Sequence, residues 1–398
     1  MSLNNGKSPW DIFEMQTVLT ADRLIACEKT IERPVLVIED GVIASIASRT
    51  GAEIPLGTQM DFAGCTLVPA YFDVHIHGSA GHDVMEGSAE AFGTIGRFLA
   101  RHGVGAYLPT TVTMSIDATL KSLDGMAKFI GRRVGGPRLM GIHIEGPFLS
   151  PHKKGAHPAG LLQTPSVELF DRMWEASAGT IKLMTIAPEL PNALDVIVRA
   201  ASLGVRVSLG HSDADAAAAK AGVKAGATTA THTYNAMRNF DHKASGLVGE
   251  VLTNDHLFAE LICDGFHVDP AAVEIYWRCK GADRAILITD AMIAAGMPDG
   301  VYKLGELDVR VKDGKCILDE NTLAGSTLTL DRGVRNFAAF TDAGIDVVSR
   351  LASRNPARMM GLESEVGALA VGRAADITVL TAQHEVVETF LQGQPAGR

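Results

Sequence analysis

The segment FDVHIHG, Phe72 to Gly78, sets two histidines two residues apart at the end of an apolar run. On a strand, residues i and i+2 leave the same face, so His75 and His77 present both imidazoles in one direction. Two such rings are half of a metal site; they are equally well two hydrogen-bonded core histidines. Later apolar runs also end in polar residues. These are His143 and Glu145 in RLMGIHIEG, His211 in VRVSLGHS, His232 in ATTATHTYNAM, Asp264 and His267 in LFAELICDGFH, and Asp290 in AILITDAM. Any one of them alone reads more readily as a satisfied core or loop residue. Burying them all without a common partner is costly, whereas a shared divalent metal accounts for them at once. With imidazole and carboxylate donors and no thiolate, Zn, Fe, Mn and Co all fit. Such an ion lowers the pKa of a bound water and polarises a carbonyl. Asp290 can then take a proton from water and pass it to a leaving amine. The competing reading of Asp290 is an N-cap for a helix after its strand.

The elements that must position these residues follow from the spacing. Eight apolar, β-branched runs begin near Thr66, Ala106, Arg138, Ile181, Val205, Ala227, Leu257 and Ala285, and most are followed by an Ala-rich stretch of helical period. After Ser88, a candidate N-cap, Phe92, Ile95 and Leu99 fall on one stripe ahead of HGVG. Strand–helix alternation of this kind predicts an α/β fold, a (β/α)8 TIM-type barrel over residues 65–362 with its chemistry at the strand C-terminal ends. The flanks are short alternating strands, with an Asp-Gly turn at Asp40–Gly41. They predict a small β-sandwich domain built from both termini, residues 12–64 and 363–395.

Composition bounds the function. The chain has 398 residues, 46% hydrophobic and 21% charged, with a net charge of −10. That balance argues against non-specific nucleic-acid binding or an anionic membrane surface, yet leaves room for a small anionic substrate. Cys27, Cys65, Cys263, Cys279 and Cys316 are odd in number and form no CxxC, so they read as reduced thiols. The start MSLNNGKSPWD does not read as a signal peptide, and no apolar run is long enough to span a bilayer. The expectation is a soluble cytoplasmic protein.

Taken together, VPAYFDVHIHG, GIHIEGPF, KGAHP, SLGHS, THTYNAM, CDGFHV, LITDA and LAGS resemble the amidohydrolase superfamily and, within it, the N-acetylglucosamine-6-phosphate deacetylases. The resemblance implies Glu145, His211 and His232 as ligands of a main metal and Asp290 as general base and then acid. It implies His157 as the donor to the acetyl carbonyl and its oxyanion; a polar surface loop is the plainer reading of that residue. Ala156, Asn235 and Ala236 would meet the sugar phosphate, His267 the sugar or its phosphate, and Leu323, Ala324 and Gly325 would line the sugar. A homodimer is implied as well.

Some family members lack histidines at the positions of His75 and His77 and use one metal. Here both are present, so a second ion, bridged by Glu145, is chemically available. Where the family usually carries a phosphate-gripping arginine after NAM, this chain reads NAMRNFDHKASG, with Lys243 at that position. Lysine keeps the charge but loses the bidentate fork, which leaves the gluco or galacto identity of the hexosamine open. The competing functions are another amidohydrolase, acting on a cyclic amide or as a deaminase, and a non-catalytic sugar-phosphate sensor.

Overall fold

Unbroken apolar strands need cover on both faces, and that requirement explains most of the architecture. The computed structural model describes residues 16–26, 29–49, 54–319 and 322–397; Cys27, residues 12–15 of the expected terminal β unit and the polar N-terminal segment lie outside them. Eight strands run parallel: Tyr71–Ile76, Val104–Pro109, Ile142–Glu145, Ile181–Ile186, Arg206–Leu209, Ala227–Ala230, Phe258–Ile262 and Ala285–Ile288. The first pairs with the second, and the third to the eighth pair in sequence order. Backbone hydrogen bonds join the two groups at both seams. Thr111 donates to the His143 carbonyl at 2.9 Å, Asp290 to that of His75 at 2.9 Å, and His77 to that of Ala291 at 2.8 Å. The result is a curled parallel sheet.

Helices cover its outside. Ala89–Arg101 starts at Ser88, whose hydroxyl accepts the Ala91 amide, and buries Phe92, Ile95 and Leu99, as the stripe predicts. Ser115, Ser166, Asp215 and Asp269 cap later helices in the same way, satisfying first-turn amides that have no partner within the helix.

The run beginning at Thr66 differs from expectation. It is two strands, not one: Thr58–Pro69 stays with the terminal strands and Tyr71–Ile76 enters the curled sheet. Pro69 has no N–H for a ladder, and the break falls beside it. Thr58–Pro69 lies parallel to Thr17–Ala26 and antiparallel to Ile377–Leu380, so strands from both ends of the chain share one sheet. That sheet is continuous rather than two separate layers. One edge folds back on the segment before Ile377–Leu380, with Ile43 donating to the Arg373 carbonyl at 2.8 Å and Ala375 to that of Gly41 at 2.9 Å. Leu19, Leu24, Leu36, Leu67, Ile377 and Phe390 fill the interior. The Asp40–Gly41 turn forms with φ of 49° and 77°, the positive pair that a tight hairpin needs.

A further antiparallel sheet, not anticipated from the sequence, follows the eighth parallel strand: Gly300–Leu304, Leu307–Lys312, Lys315–Asp319 and Thr322–Leu323. Its apolar face, with Leu304, Val309, Val311 and Cys316, packs on Val112, Ala156 and Met292 at the C-terminal face of the curled sheet.

Candidate metal centre and active site

Glu145, the last residue of the third parallel strand, sits among five imidazoles. One carboxylate oxygen lies 3.2 Å from His211 Nε2 and 3.1 Å from His232 Nε2. The other lies 3.4 Å from His75 Nε2, 3.3 Å from His77 Nε2 and 3.5 Å from His157 Nε2. Asp290 closes the cluster from the eighth strand, with Oδ1 3.0 Å from His77 Nε2 and 3.4 Å from His75 Nε2. Two buried donor groups result, Glu145–His211–His232 and His75–His77–Asp290, with the ligand atoms of each within 4.8 Å of one another. No helix starts at Asp290, so its N-cap reading fails.

The outer nitrogens decide the tautomers. His77 Nδ1 lies 3.1 Å from the Thr110 carbonyl, His211 Nδ1 2.9 Å from that of Lys153, and His232 Nδ1 3.2 Å from that of Asn235. A carbonyl can only accept, so each Nδ1 carries a proton, and in the neutral ring it is Nε2 that turns a lone pair inward. His157 is the reverse. Its Nδ1 accepts the Thr113 backbone N–H at 3.3 Å, with the Thr113 hydroxyl at 2.8 Å, so its proton is on Nε2, facing Glu145. Burial pushes His157 down to about 4, keeping it neutral near pH 7.

The charges fit a divalent ion. Burial alone would raise Glu145 and Asp290, but the imidazoles, His75 first, hold both well below the usual carboxylate range. Burial alone would lower His77, but Asp290 and Glu145 push it up to about 9. A divalent ion bound there would supply the positive charge that protons otherwise bring. His75 Nε2 is buried with no hydrogen-bond partner, an orphan atom that a metal would satisfy. Backbone strain is concentrated here too: His211, His232, Ala236 and Asp290 all have positive φ, between 28° and 49°.

Above the cluster opens a cavity of about 520 Å³. Ala156, Asn235, Ala236, His267, Leu323 and Gly325 line it together with the donor groups. His267 is held by Asp264, Nδ1 to Oδ2 at 2.7 Å, so this pair stands apart from the metal cluster. His143 is likewise excluded from the donor groups: it lies beneath them, bonded to Thr185 at 2.8 Å. Ala324 is buried in the apolar cluster behind the wall. Lys243 is not brought to the cavity. It sits in an exposed turn, its backbone N–H on Asp241 at 2.7 Å, and nothing in the described chain folds it inward. The wall carries instead Lys153, its one lysine or arginine among the described residues, with His152 beside it. Lys153 was not singled out from the sequence, where nothing separates it from a surface lysine. Sequence reasoning also missed Glu260, fully buried 3.2 Å from His75 Nδ1.

Residues 66–396 match the amidohydrolase family. The chain belongs to the amidohydrolase family. Among similar amidohydrolases, an N-acetylglucosamine-6-phosphate deacetylase of Vibrio furnissii is 38% identical over 364 residues, 90% of each chain. An N-acetylgalactosamine-6-phosphate deacetylase of Escherichia coli is 38% identical over 383 residues, covering 96% of this chain and all of that one. A structure of a mutant N-acetyl-D-glucosamine-6-phosphate deacetylase from Mycobacterium smegmatis with N-acetyl-D-glucosamine 6-phosphate superposes with a TM-score of 0.90 at 31% identity, covering 96% of this chain and all of that one. The family resemblance carried by HIEGPF, GHS and THTYNAM is borne out.

Proposed function

We propose that the protein hydrolyses the acetamide of an N-acetylhexosamine 6-phosphate, taking N-acetyl-D-glucosamine 6-phosphate to glucosamine 6-phosphate and acetate. One observation carries the reading. Beneath a sugar-sized cavity, Nε2 lone pairs converge on Glu145 while the neighbouring His157 points an Nε2–H into the same space.

Glu145, His211 and His232 would hold a main ion, and His75, His77 and Asp290 a second one shared through Glu145. A divalent cation there polarises the acetyl carbonyl and makes water a stronger nucleophile. The chain's own groups do the rest. The Asp290 carboxylate accepts a proton from the attacking water and returns it to the departing amine nitrogen, so its charge is restored each cycle. His157 donates Nε2–H to the acetyl oxygen as the carbonyl carbon turns tetrahedral and the oxygen gains charge; a preplaced neutral donor needs no reorganisation. Asn235, Ala236 and His267 meet the phosphate end, with Lys153 as the protomer's own ammonium for the dianion. Leu323 and Gly325 line the sugar.

The whole is a (β/α)8 barrel carrying a β unit from both termini, acting as a cytoplasmic homodimer in amino-sugar catabolism. A galacto substrate is the second reading, favoured by the Escherichia coli relative. Hydrolysis in ¹⁸O-labelled water tests the chemistry: one label in the released acetate is expected, and acetate without label would refute water attack on the amide.

A further inference from the structure

Glu260 is an acid in an otherwise apolar strand, Phe258–Ile262, and is completely buried. No lysine or arginine pairs with it among the described residues; its side-chain partner is the His75 ring, Oε2 to Nδ1 at 3.2 Å. The same oxygen accepts the His232 backbone N–H at 3.4 Å, while Oε1 has no hydrogen-bond partner. A buried carboxylate so poorly compensated is costly, so its role must lie beyond filling space. Oε2 already accepts from the His232 N–H, so it faces His75 Nδ1 as an acceptor too. The shared proton therefore belongs to His75 Nδ1, and His75 Nε2 is left bare between Glu145 and Asp290, 3.4 Å from each.

His77, His211 and His232 rest their outer nitrogens on neutral backbone carbonyls. His75 alone rests on a charged group. A carboxylate behind an imidazole fixes its orientation and makes it a stronger donor. Through His232 N–H the same oxygen ties the strand-one histidine to the main donor group.

We infer that Glu260 is the positioning residue for the second ion, setting His75 so that the His75–His77–Asp290 group can bind it. The inference rests on the two-ion reading of the proposed function. It is tested on metal-free protein titrated with Mn(II), with bound and free ion and the spin coupling between neighbouring ions read by electron paramagnetic resonance. Wild type takes two ions per chain. Glu260→Gln and Glu260→Leu keep the first ion at wild-type affinity, weaken the second about tenfold or more, and lose the coupled signal at concentrations where wild type shows it. Two ions bound with wild-type affinity in both variants would overturn the role of Glu260 alone. Equal weakening of both ions together with a lowered melting temperature would overturn it in favour of a purely structural bond. A single ion in wild type would overturn the two-ion reading itself.

Discussion

His157 accepts a backbone N–H from Thr113 at Nδ1, 3.3 Å away, while the ring it packs against, His211, donates its own Nδ1–H to the Lys153 carbonyl at 2.9 Å. Two histidines in contact are thus held in opposite tautomers by the backbone. One can donate to substrate; the other can bind an ion. Because His157 has no part in either donor group, His157→Ala is expected to leave metal content unchanged and to lower kcat about 10²- to 10³-fold, as loss of one oxyanion donor does. Steady-state kinetics beside elemental analysis of the same sample check this. A variant that lost its metal would make His157 a ligand instead.

The phosphate end separates two lysines. Lys153 is on the cavity wall and Lys243 is in an exposed turn. Removing one charge-assisted contact costs about 1.5–3 kcal/mol, so Lys153→Met is expected to raise KM for the 6-phosphate about 10- to 100-fold. The unphosphorylated sugar should be turned over as before. Lys243→Met raises KM for the 6-phosphate only if a second copy brings it to the cavity. KM for wild type and Lys243→Met, measured side by side over a range of protein concentrations, checks that.

Away from the site, Asp331 pairs with His102 at 3.1 Å and Arg335 at 2.9 Å. Burial would raise its carboxyl, but His102, then the Thr329 hydroxyl and Arg335, hold it down at about 2. A folded-state pKa below the unfolded value of about 3.9 means the stabilisation is fully present above that value and is lost as pH falls through about 2. Asp331→Asn is expected to cost about 2 kcal/mol at pH 7 and progressively less in urea unfolding below pH 4. A cost that stayed constant with pH would assign the effect to packing.

The curled sheet and the clustering of the candidate metal donors were legible in the sequence because both depend on residue type at strand ends. Continuous apolar runs mark strands covered on both faces, and Glu145, His211, His232 and Asp290 each stand at the end of one. Glu260 was hidden because FAELI reads as core and a single acid within it carries no spacing signal. The sheet over 300–323 had signals that went unread: alternation through Tyr302, Leu304, Val309 and Val311, and an Asp313–Gly314 turn. Lys153 and Lys243 show the other limit. Their charge is visible in the sequence, but which of them faces the cavity is set by how residues far away in the chain fold the loops.

The central claim is metal-dependent deacetylation of an amino-sugar phosphate, and acetate release tests it most directly. The metal-loaded protein is offered N-acetylglucosamine 6-phosphate, its galacto epimer and unphosphorylated N-acetylglucosamine, before and after chelation. Turnover of a hexosamine 6-phosphate, fastest for the gluco form, with loss on chelation and recovery on adding the ion back, is the predicted result. No acetate from either 6-phosphate, with bound metal verified, would contradict it.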